Sequence, residues 1–261
     1  MNLIDAIAGL CVGMAVGMTG VGGGSLMTPI LVLLFGFAPA TAVGTDLWFA
    51  AITKIFGGTL HHRHGSVDTQ VLRRLCIGSI PAAVVTLTWM YTTGVGQNRQ
   101  GFVVHALGGV LLFTAVMTLQ RKRLQAFAAR LRHTMPEAFK AAQPALTVLA
   151  GMILGILVSL TSVGAGALGT AMLLYLYPLR MENPSRLVGT EIVHAIPLAI
   201  IAGLGQLFMG DVNLKLLINL LLGSIPGVII GSLVANRAPA GFLRAAISLI
   251  LVAVSVKLIL N

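Results

Sequence analysis

Two glycine-rich blocks, Thr19-Gly20-Val21-Gly22-Gly23-Gly24-Ser25-Leu26 and Thr161-Ser162-Val163-Gly164-Ala165-Gly166-Ala167-Leu168, interrupt otherwise apolar sequence. In hydrocarbon every backbone polar group must find a partner, so unwound chain at membrane depth is tolerated only where it is buried in protein or lines a polar cavity. Helices beginning near Ser25 and Ala167 would point free N–H groups and a positive dipole end into such a cavity, which suits an anion. The flanking Thr19, Ser25, Thr28, Thr161, Ser162 and Thr170 add hydroxyl donors. The expected binding set is therefore Thr19, Gly20, Gly22, Gly23, Gly24, Ser25, Thr161, Ser162, Gly164 and Gly166. Glycines also serve close helix packing in membranes, but a dense cluster that occurs twice between short apolar flanks favours a site.

Ionisable residues inside apolar spans are expensive and mark function. Asp46, Lys54 and Glu191 are the ones within long apolar segments, and Asp46 and Glu191 each follow a Gly-Thr pair near a helix start. Their two readings are an acid stabilised by the helix dipole at the interface and a proton- or cation-coupling group beside a substrate. Lys54 lies eight positions after Asp46, about 80° around a helix and two turns along; direct pairing of the two is not expected, and Lys54 is placed as positive charge facing the cavity. His194 is three residues after Glu191 on one face, spacing that allows a carboxylate–imidazole relay, with a structural histidine as the competing role. Asp46, Glu191, Lys54 and His194 form the candidate coupling set.

His61, His62 and His64 crowd a basic loop with Arg63 and have no nearby carboxylate at helical ligand spacing, so no metal site is assigned. Met14, Met18, Met27 and Met172 read as packing residues. No P-loop, nucleophile elbow or zincin helix is present, so no enzyme activity and no cofactor are expected.

The elements that must position these residues come in duplicate. Val43-Gly44-Thr45-Asp46 returns as Val188-Gly189-Thr190-Glu191, Gly78-Ser79-Ile80-Pro81 as Gly223-Ser224-Ile225-Pro226, and Gly101-Phe102 as Gly241-Phe242. With the glycine blocks, the matches keep their order at offsets of 142, 145, 145 and 140 residues. This spacing implies two homologous halves, residues 1–119 and 145–261, joined by a linker at 120–144. Of the 261 residues, 57% are hydrophobic and 9% charged, and the mean hydropathy is +0.95, too apolar for a soluble globule of this length. The expected fold class is an all-α polytopic membrane protein of two inverted repeats, each with a broken or re-entrant glycine-rich helix pair and three long transmembrane helices.

In each half two short apolar segments flank the glycines, at 3–18 and 25–37 and at 145–159 and 167–179. Each falls below the roughly 20 residues of a full crossing, so half-helix, re-entrant leg and tilted span stay open. The longer segments are 42–60, 72–91, 101–119, 187–208, 214–234 and 241–260. A short pair that enters and leaves on one side gives each half an odd number of crossings, hence opposite orientation.

The net charge of +10 sits mainly in short connections, which fits the positive-inside rule and not a nucleic-acid partner. Arg121, Lys122, Arg123, Arg130, Arg132 and Lys140 make the linker cytoplasmic and place both termini outside a cell inner membrane; Lys215 and Lys257 are mild exceptions. The linker reads equally as an amphipathic helix on the anionic inner leaflet or as a solvated connection. The first apolar stretch runs into the repeat itself, so it reads as mature structure with no cleaved leader. Cys11 and Cys76 read as small buried hydrophobes.

On the paired glycine blocks and the Gly-Thr-Asp/Gly-Thr-Glu elements, the chain resembles the TauE/SafE sulfite exporter family, the TSUP anion permeases, over essentially all its length. The resemblance implies a transporter of sulfite, sulfonates or related sulfur oxyanions without an ATPase subunit. The residues by themselves imply something narrower, a duplicated bundle with two polar breaks suited to a small anion; that a proton on Asp46 or Glu191 travels with the anion, with alternating access around the breaks, is the hypothesis built on it. A passive anion channel, a cation or metal transporter and a membrane scaffold are the alternatives. The expected partners are the anion, protons and the lipid bilayer, with a homodimer compatible with the small-residue helix faces.

Overall fold

The computed structural model describes residues 3–19, 24–62, 67–94, 100–120, 136–177, 181, 183–234, 249 and 252–258. Among them the secondary structure is helical: α1 (Leu3–Thr19), α2 (Gly24–Leu33), α3 (Pro39–His62), α4 (Thr69–Thr93), α5 (Gln100–Leu119), α6 (Pro136–Thr161), α7 (Ala167–Leu176), α8 (Pro184–Phe208) and α9 (Leu214–Val234), then a last helical stretch at 252–258. Helices α3, α6 and α8 all open on proline, where a missing N–H removes no helical hydrogen bond. Four described stretches, Thr69–Thr93, Phe139–Thr161, Arg186–Phe208 and Leu214–Gly231, are long and apolar enough to cross a membrane.

One boundary departs from the sequence reading. The segment expected to start at 145 is the end of α6, which begins at Pro136 and includes residues assigned to the linker. Hydropathy missed this because Glu137, Lys140 and Gln143 dilute it, yet all three are good helix formers. Phe139 anchors this first turn: it is buried and meets Tyr175 edge-on at 6.4 Å between ring centroids. The short segment of the second half is thus a full-length helix.

Burial is arranged for lipid. Ile77, Val84, Val85, Trp89, Ile218, Leu222, Ile229 and Ile230 are exposed on α4 and α9, whereas Thr45, Asp46, Lys54, Ser79, Glu191 and His194 are buried. An apolar rind around ionisable residues is stable only where the surrounding solvent is hydrocarbon.

Helix α1 packs along α9, α4 along α6, and α3 along α8. The first two contacts use equivalent residues of the two halves. A Cβ on Gly9 would collide with the carbonyl of Leu220 and one on Gly13 with that of Ser224; correspondingly, a Cβ on Gly151 would strike Leu75 and one on Gly155 would strike Ser79. The partner helices repeat this, with Gly223 against Ala6 and Gly78 against Val148. Small residues here let backbones approach closely, which is how helices adhere in a bilayer.

Helix starts are shared in the same crossed way. Thr45 Oγ1 accepts from the backbone N–H of Asn213 at 3.1 Å, and Asn213 Oδ1 accepts from Leu216 N at 3.0 Å. Thr190 Oγ1 accepts from Asp68 N at 3.0 Å, and Asp68 Oδ1 accepts from Val71 N at 3.2 Å. Each Gly-Thr element therefore grips the N-cap of a helix in the other half.

Candidate functional site

The second glycine block is an unwound turn between α6 and α7. Ser162 has φ 60° and Gly164 φ 123°, values an L side chain adopts at a cost and glycine adopts freely. Thr161 holds the start of the turn by donating to Leu157 O at 2.7 Å and accepting from Val163 N at 3.2 Å. Past the turn, Gly169 N donates to Gly164 O and Thr170 N to Gly166 O, each at 3.0 Å. The turn is buried, and so is the Ser162 hydroxyl, whose oxygen has no hydrogen-bond partner.

A narrow cavity lies between this turn, α3 and α8, with Lys54, Ser162, Gly164, Gly166, Ala195 and Ala199 on its wall. Lys54 spans it. Its Nζ donates to Ala165 O in the turn at 2.8 Å and to Glu191 Oε1 on α8 at 3.0 Å. Lys54 is 5% exposed and Glu191 1%, so the ion pair sits in a low-dielectric interior, where losing one partner is far more costly than on a surface. Glu191 Oε2 has no partner.

Asp46 is equally buried but otherwise held. Its Oδ2 accepts from the hydroxyl of Thr28 on α2, Oδ1 is unpartnered, and Ser162 lies close enough to act on it. Lys54 belongs to Glu191 and not to Asp46, as their helical spacing implied. His194 turns to α4, with Nε2 2.9 Å from Ser79 Oγ.

Asp46, Lys54, Glu191 and His194, the candidate coupling residues, therefore converge with Thr161, Ser162, Gly164 and Gly166 on one buried region. Of the first block, Gly20, Gly22 and Gly23 lie outside the described residues; Thr19 closes α1, while Gly24 and Ser25 open α2. The described residues bring no three His, Cys, Asp or Glu together as metal ligands, and His64 lies outside them. Sequence reasoning missed Ser79 as the histidine's partner. Its only signal was the repeated Gly-Ser-Ile-Pro element.

At the ends of the spans, Arg186 pairs with Asp68 at 3.2 Å. Asp211, in the turn between α8 and α9, is buried with Oδ2 unpartnered, and burial pushes its carboxyl above the usual carboxylate range.

The family profile described as "Sulfite exporter TauE/SafE" matches residues 6–258. The chain belongs to the TauE/SafE family. It is similar to "Probable membrane transporter protein YjnA" of Bacillus subtilis (strain 168), 39% identical over 258 residues that cover 96% of this chain and 98% of that protein. It is also similar to "Probable membrane transporter protein YdhB" of the same strain, 26% identical over 237 residues, 91% of each. No solved structure matches this TauE/SafE chain. With its all-helical, lipid-facing architecture, the protein is a membrane transporter of this family.

Proposed function

We propose that this TauE/SafE protein carries a small sulfur-containing oxyanion, sulfite or a sulfonate, across the cell inner membrane by alternating access. The observation that carries the reading is the buried Ser162–Gly166 turn at which the Ser162 hydroxyl and the Lys54 ammonium border one cavity. Turn amides, a hydroxyl and one cation, enclosed at low dielectric, make a site for a small anion. In this reading Thr19, Gly20, Gly22, Gly23, Gly24 and Ser25 supply the matching half-site on the other repeat, and the matched glycine and N-cap contacts between the halves support an inverted repeat that rocks about the two breaks. The linker is cytoplasmic and both termini lie outside.

The test is uptake of labelled sulfite into proteoliposomes, with and without sulfite loaded inside, comparing wild type with Gly164→Val, which forces a branched side chain into φ 123°. Saturable, trans-stimulated uptake that the substitution abolishes is the expected result. Uptake that neither saturates nor responds to internal sulfite would replace the carrier by a channel, and no sulfite flux at all would overturn the substrate class.

A further inference from the structure

The two halves match in backbone contacts but not in charge. At the 145-residue offset, Lys54 corresponds to Ala199 and His194 to Phe49. Lys54 and Ala199 line the same cavity, so among the described residues of this cavity one ammonium serves both halves. The acids are also unequal: Glu191 holds the ammonium, whereas Asp46 holds the Thr28 hydroxyl.

The ammonium is incompletely used. It has three N–H donors and two acceptors, Ala165 O and Glu191 Oε1. Glu191 Oε2 and Ser162 Oγ are both buried without partners. A spare donor thus borders the cavity beside the Ser162 hydroxyl, while the Glu191 carboxylate has an oxygen free to take a proton.

We propose that Lys54 is an exchangeable counter-ion: it pairs with Glu191 in the arrangement described here and turns to the anion when Glu191 is protonated, so that one proton is bound with each anion. This rests on the anion-carrier reading and deepens it by choosing Glu191, not Asp46, as the coupling acid. The physical reason is charge balance. A buried ammonium facing both a carboxylate and an anion carries a surplus negative charge in low dielectric, and a proton on Glu191 removes it. Glu191 becomes a neutral acid, Lys54 stays an ammonium, and the anion takes over as its partner. The other titratable groups facing Lys54 are Asp46 on α3 and His194 on α8. Neither bonds to Lys54 or Glu191: Asp46 is tied to Thr28 and His194 to Ser79.

The experiment measures binding of methanesulfonate, whose charge is constant in this range, to purified protein in nanodiscs between about pH 6 and about pH 8. One linked proton makes wild-type affinity fall about tenfold per pH unit where Glu191 titrates. Glu191→Gln, neutral and nearly isosteric, should bind at every pH as wild type does at the acidic end, with the slope gone and proton-driven accumulation lost. Asp46→Asn leaves the Lys54–Glu191 pair in place, and a slope lost in this variant but kept in Glu191→Gln would move the coupling proton to Asp46 and overturn the choice of Glu191. In weakly buffered solution wild type should take up about one proton per anion bound, a readout needing no variant. Anion binding with no proton uptake, or a Glu191→Gln protein that keeps the full slope, overturns the exchange and leaves the carrier standing. Wild type that binds neither methanesulfonate nor sulfite overturns both.

Discussion

Replacing Lys54 with methionine tests the energetics of the site directly. The ammonium lies 3.0 Å from Glu191 Oε1, with the two side chains 5% and 1% exposed, and the other carboxylate oxygen has no partner. Lys54→Met keeps the length and apolar stem of the side chain but leaves a buried carboxylate uncompensated, which costs about 3–5 kcal/mol. Glu191→Gln alone leaves the ammonium its bond to Ala165 O, so its loss is on the order of 1–3 kcal/mol. The double variant removes both charges and should recover most of the loss, because a buried pair replaced by neutral groups of similar size is often close to neutral. With the double variant within about 1 kcal/mol of wild type, the coupling between the two charges is about 3–7 kcal/mol. In thermal unfolding of purified protein in detergent, Lys54→Met should melt roughly 6–20 °C below wild type and the double variant clearly above it. A Lys54→Met midpoint within about 2 °C of wild type, or a double variant as weak as Lys54→Met, would refute the claim that these charges hold each other inside the protein.

Three further outcomes follow from the packing and the ends of the spans. Gly223→Val drives a side chain into the backbone of Ala6, whereas a Cβ on Gly109 meets nothing within 4 Å; the first should lose about 1–3 kcal/mol and the second stay within about 0.5 kcal/mol, read as melting midpoints. Thr190→Val removes the acceptor for Asp68 N and Thr45→Val that for Asn213 N; each should cost about 1–3 kcal/mol and speed amide exchange at its partner residue, and unchanged exchange at both would refute the shared caps. Burial raises the Asp211 carboxyl above its unfolded value of about 3.9, so the folded state holds its proton more tightly. Stability from this group then falls as pH rises from about 4 through the folded value, and Asp211→Asn should flatten that part of a melting-against-pH curve, which an unaltered curve would contradict.

Much of the fold was legible because it follows from one-dimensional patterns. Apolar runs of 20 residues locate spans in any bilayer protein, and the edges of α3, α4, α5, α8 and α9 fall within three residues of the expected segments. The start of α6 was not legible, since hydropathy reports transfer to lipid while helix propensity extends the element into polar residues such as Glu137 and Lys140. The acids were legible because a charge in an apolar run is conspicuous. Their partners were not: Thr28 and Ser79 are ordinary small polar residues in a membrane helix, and nothing in their spacing says which acid or imidazole they meet.

By itself the sequence determined the solvent, the helical class, the repeated order of motifs and the buried ionisable residues, because each depends on composition or local periodicity. Only the tertiary structure decided that the halves grip each other crosswise, α1 on α9 and α6 on α4, and that Lys54 crosses 137 positions of chain to reach Glu191 rather than Asp46 nearby. The reason is geometric. On one helix Asp46 and Lys54 are two turns apart and point in different directions, whereas packing α3 against α8 brings the ammonium within hydrogen-bonding distance of a carboxylate whose distance along the chain carries no information about its distance in space.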